Sequence, residues 1–150
     1  MGDPHEIHER RRFRLALMAV SLLVLAAVGW YLRGSMRLGY IDSAIGSVRA
    51  LVNEEERFSE THPNRGYACS ISELDANRLP QRLGKTGYRN GYTFELTCPN
   101  AGTGSTGRNF QVIARPVGSG MPTFCSDQSG IVKYVQEAPA SACLTTGSHL

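Results

Sequence analysis

Residues 13–32, FRLALMAVSLLVLAAVGWYL, carry a single charge, Arg14 at the edge, and Arg10, Arg11 and Arg12 stand just before them. About twenty apolar residues in an α-helix rise roughly 30 Å, the hydrocarbon thickness of a bilayer. The run predicts one transmembrane helix over 13–32 behind a cytoplasmic tail, 1–12. Arg10, Arg11, Arg12 and Arg14 precede its core, against Arg33 and Arg37 after it. An excess of Lys and Arg marks the cytoplasmic side. The expected location is therefore the inner (cytoplasmic) membrane, single-pass, with the C-terminal domain periplasmic or extracellular. Arg12, Phe13, Arg14, Trp30, Tyr31 and Leu32 frame the span, with Arg14 snorkelling back to the headgroups and the aromatic pair at the far interface. Ala27-Val28-Gly29 also suits a signal peptidase, and cleavage after Gly29 would release a secreted disulfide-bonded domain. The run continues through Trp30, Tyr31 and Leu32, which favours the anchor. On either reading the remainder is exported.

The cysteines fit an exported domain. Cys69, Cys98, Cys125 and Cys143 form no CxxC pair, which argues against a zinc ribbon or a thioredoxin-type site. An even number of separated cysteines beyond an export signal reads as two disulfides in an oxidising compartment. Three pairings are open, and Cys69–Cys98 with Cys125–Cys143, closing successive loops, is the favoured one.

No proline interrupts residues 13–61. Leu38, Ile41, Ile45, Val48, Val52 and Phe58 recur at spacings of three or four, with one skip over Glu55, which predicts an amphipathic helix over 33–62 continuing the first. That stripe is the expected helix–sheet packing surface. Thr61-His62-Pro63-Asn64-Arg65-Gly66 ends it. A connecting region follows, with a helical turn near Ser70–Leu74, Leu79 and Leu83 as core anchors, and a turn at Asn90-Gly91. The period then becomes two: Tyr92, Phe94 and Leu96 on one face, then strands over 109–116, from Thr123, and over 131–135. The expected fold is α+β, a long helix packed on a roughly four-stranded antiparallel sheet within 63–143, with a flexible tail over 144–150.

This organisation resembles the type IV pilins and type II secretion pseudopilins of bacteria. YIDSAIGSVRALVNEEERFSETHPNRGYACSISELD is similar to the stretch where their long helix ends and the αβ-loop begins, and FCSDQSGIVKY to their last strand pair. The likeness covers most of residues 13–143. It implies a pilin-like fold, a non-enzymatic subunit or accessory of a type IV pilus or type II secretion-like assembly, and other pilin-like subunits as partners through the N-terminal helix. One feature departs from the pattern. Such proteins carry a prepilin peptidase site, a Gly before the apolar run and a Glu at the fifth mature position. Here the entry reads Arg12-Phe13-Arg14, and no acidic residue occurs over 13–32. That departure supports a second reading, a stand-alone membrane-anchored binding module that does not polymerise.

The remaining constellations read as structure. His5 and His8 are three apart and do not make the HExxH zinc motif, so a solvated tail is expected. Glu54, Glu55, Glu56 and Glu60 read as a solvated helix face, offset by Arg49 and Arg57 at helical spacings. Asp127 with Ser126, Ser129 and Gly130 reads as a hairpin turn, and the glycine-rich 100–107 as a linker. His62 and His149, the exported histidines, have no catalytic context, and general acid–base work needs a positioned base. The net charge of +3 comes mostly from the N-terminal arginines, which leaves nucleic-acid binding unsupported. The expectation is thus no catalytic residue, metal, cofactor or small-molecule substrate, with membrane lipid and like subunits as partners.

Overall fold

The computed structural model describes residues 4–99, 107–136 and 138–150, with side chains from Arg14 onward except Ala16. The histidine pair of the tail, Arg12 and Phe13 as side chains, and most of the 100–107 linker lie outside the described residues. The first helix, α1, runs Pro4–Thr61 without a break. The chain divides into two units, Met1–Leu38 and Gly39–Leu150. The first is helix throughout its described residues, and its large apolar side chains from Leu15 to Leu38 are all exposed.

The second unit pairs residues 39–61 of α1 with a six-stranded antiparallel sheet. Its strands are β1 (Tyr88–Arg89), β2 (Tyr92–Thr97), β3 (Gln111–Pro116), β4 (Thr123–Asp127), β5 (Lys133–Val135) and β6 (Ser148–His149), each next to its neighbour in sequence. Alternation decides the faces. Tyr92, Phe94 and Leu96 are buried while Thr93 and Glu95 are exposed, and β3 follows with Val112 and Ala114 inward. Ladder partners Phe94↔Ala114 and Leu96↔Val112 keep this set in register. Ala44, Val48, Leu51, Val52 and Phe58 of α1 pack into the same core. Burying one apolar stripe against one apolar face removes both from water, at about 25 cal/mol per Å² of apolar surface.

The two strands beyond the expected four are the outermost, β1 and β6. Each is two residues long, too short to show alternation. β1 forms through a two-residue hairpin at Asn90-Gly91, whose φ values of 44° and 76° suit the twist of paired strands. β6 corrects the expectation of a flexible tail over 144–150. A short helix, α3 (Cys143–Thr146), precedes it, Lys133 Nζ donates to the Leu144 carbonyl at 2.8 Å, and Tyr134 pairs with Ser148. Cys125 points away from its buried neighbours Phe124 and Ser126, yet is itself fully buried, because α3 covers it. Cys125, Val135 and Cys143, with Ile113 and Leu144, form a second small core there.

Between α1 and the sheet, the connecting region is held by buried Ala68, Leu74, Leu79 and Leu83. It includes a one-turn helix over Ile71–Glu73 and α2 (Leu83–Thr86).

Candidate functional site

The apolar surface of α1 comes first. Among the described residues one helix is long and apolar enough to cross a membrane, near the N-terminus, and none of its apolar window is buried. Trp30 is 86% exposed, and Tyr31, Leu32 and Arg14 are exposed with it. Leu38 corrects the expected packing stripe: it is 65% exposed and belongs to the first unit. Ile41 and Ile45 are half-buried, while Val48, Val52 and Phe58 enter the core. Ala44 and Leu51, off the predicted stripe, are buried as well, so the buried arc is wider than a single line of residues.

Glu55 is the largest correction. The expected solvated glutamate face does not hold for it: Glu55 is fully buried, and Glu54 nearly so. Position 55 falls in the gap of the stripe between Val52 and Phe58, so helical spacing turns its carboxyl into the core. There Oε2 accepts the backbone N–H of Ala68 at 2.9 Å, while Oε1 has no partner among the described residues. Burial pushes the carboxyl up to about 8. The Ala68 N–H opposes that shift, and the charge of Glu73 adds to it. Glu73 is itself engaged by Arg65 at 2.8 Å, and Arg65 lies over the Phe58 ring at 5.4 Å. His62 stacks on the Phe58 ring as well, centroids 4.3 Å apart, with Nδ1 3.0 Å from the Phe58 carbonyl at the helix end. The end of α1 and the first residues of the loop are thereby one interlocked cluster.

The four cysteines form the disulfides Cys69–Cys98 and Cys125–Cys143. The first ties the loop beyond Ala68 to the end of β2. Gly107 seats against it: a Cβ there would meet Cys98 Sγ at 2.9 Å and Cys69 Sγ at 3.2 Å, and its carbonyl accepts the Tyr67 N–H at 2.8 Å. The second ties α3 to the outer face of β4.

The polar groups near the last hairpin are consumed locally. Asp127 Oδ1 accepts the Ser129 N–H at 2.9 Å, and Ser126 Oγ donates to the Ile131 carbonyl at 3.0 Å. Among the described residues no group of three or more His, Cys, Asp or Glu is placed to hold a metal ion. Compared with protein families, curated proteins and solved structures, the chain matches none.

Proposed function

We propose that this chain is a non-enzymatic, single-pass membrane-anchored protein of pilin-like build, a subunit or accessory of a type IV pilus or type II secretion-like assembly. Its N-terminus faces the cytoplasm and its disulfide-bonded head is exported. The observation that carries the reading is the apolar helix over 15–38, whose large side chains are all exposed among the described residues. Water is a poor solvent for such a surface, and lipid or similar helices are the media that suit it. The two disulfides support an oxidising compartment for the head.

A second reading, an anchored binding module that does not polymerise, rests on the entry Arg12-Phe13-Arg14, which lacks the peptidase glycine, and on a span without an acidic residue. The unreduced intact mass of protein extracted from membranes separates the two. A chain starting at Phe13 and forming cross-linked ladders in the membrane supports the assembly subunit. An unprocessed chain that cross-links only as a monomer supports the binding module. A start at Trp30 overturns both in favour of a secreted domain.

A further inference from the structure

A groove of about 760 Å³ opens at the end of the head where α1 enters it, lined among others by Tyr40, Arg82, Tyr88, Arg89, Asn90 and Met121. Among the described residues its lining holds two arginines and no carboxylate. Elsewhere in the head Arg57 meets Glu54, Arg65 meets Glu73, Arg78 meets Asp75 and Arg115 meets Glu95, while Arg49 and Arg108 stand singly, away from the groove lining. Among the described residues Arg82 and Arg89 meet no carboxylate.

One groove arginine is held through its side chain, the other through its backbone, whose carbonyl accepts the Thr86 N–H at 2.9 Å. Arg89 donates to Ser47 Oγ at 3.2 Å and keeps the rest of its fork, the donor geometry that suits phosphate oxygens. Asn90 Nδ2 donates to Ser43 Oγ at 2.8 Å, which fixes the hairpin tip beside it on α1. Arg82 has φ 71°, and with Asn90 it is one of two non-glycine residues in the left-handed region among the described residues. Asn90 is accounted for by its hairpin turn. Arg82 stands where glycine would be strain-free, so the backbone bears a steric cost to place an arginine there.

We infer that this groove binds the phosphate of an anionic phospholipid headgroup. Charge sets the ligand class, and attachment sets the source. Tyr40 follows Leu32 by eight residues in the chain, so a head anchored by 13–32 stays tethered to a bilayer surface and meets headgroups at high effective concentration. Tyr40 and Tyr88, each 40% exposed, offer the amphipathic rings favoured at that interface. The inference rests on the membrane-anchored reading.

The test uses the full chain in nanodiscs of phosphatidylcholine alone or with about one-third phosphatidylglycerol, reading backbone hydrogen exchange over 82–91. The expected result is exchange slower by about tenfold in the anionic discs, a difference erased by roughly 0.5 M salt and by the double variant Arg82→Gly with Arg89→Gln. Arg82→Gly relieves the backbone, and the lipid and salt arms need no variant. Equal exchange in both discs, with the chain inserted in each, overturns the headgroup site and leaves the anchor standing. A chain that elutes apart from both discs overturns the anchor, and this inference with it. Equal protection by glycerol phosphate in neutral discs overturns the lipid source in favour of a soluble phosphate ester.

Discussion

Ala68 gives its backbone N–H to Glu55 at 2.9 Å, joining the end of the long helix to the loop that leaves it, and it does so inside the core. A carboxyl in that position binds its proton more tightly in the folded chain than in the unfolded one. With its value near 8 against an ordinary 4.5, its contribution to stability is full below about pH 4.5, falls as pH rises toward 8, and is level beyond. The slope is about 1.4 kcal/mol for each pH unit across that window at full strength. Chemical unfolding of the full chain at a series of pH values should show this decline, and Glu55→Gln, which cannot ionise, should flatten it. An unchanged slope in the variant would assign the pH dependence to other groups.

Leu51 and Leu38 lie on the same helix with opposite surroundings, one fully buried and the other exposed. Leu51→Ala should cost about 2–5 kcal/mol, the loss of a buried side chain plus the cavity it leaves. Leu38→Ala should stay within about 0.5 kcal/mol in the unfolding of the head. Paired denaturant titrations check both, and a comparable loss at Leu38 would contradict its exposure.

Gly107 has no room for a side chain. Gly107→Ala brings a methyl group onto both sulfurs of Cys69–Cys98 and onto the Tyr67 carbonyl, which is backbone and cannot step aside. A destabilisation of about 1–3 kcal/mol is expected from overpacking. Thermal unfolding reads it, with Gly118→Ala, whose nearest neighbour is the mobile end of Met121 at 3.8 Å, as the mild comparison.

Removing Cys125–Cys143 by Cys→Ser at both positions should release α3 and β6 before the rest of the sheet. The closed loop spans 18 residues, for which loop closure contributes about 3 kcal/mol. Hydrogen exchange should quicken over 140–150 and at Lys133 and Tyr134 first, with β2 and β3 the last to follow.

The long helix, the central strands and the two disulfides were legible because each leaves a repeated signal: an uncharged run, a period of three to four, a period of two, paired cysteines. The apolar stripe is traceable through Val48, Val52 and Phe58, yet its gap at Glu55 is masked by residue type, because a glutamate between two glutamates has the composition of a solvated face. Geometry alone, counting three on from Val52, points Glu55 inward. β1 and β6 were beyond reach because two residues carry no period. α3 was hidden by an Ala, Ser and Thr-rich composition whose order comes from one disulfide and from the Lys133 bond to the Leu144 carbonyl. The groove at Arg82 and Arg89 left no trace either, as its residues come together only through the loop, the first hairpin and the turn after β3.

The sheet ends on both sides in strands of two residues, Tyr88–Arg89 and Ser148–His149. A neighbouring molecule seeking to extend it would find only a stub of unpaired backbone at either margin, too little to seed a shared ladder. Even where such heads were packed side by side, their sheets would not run into one another.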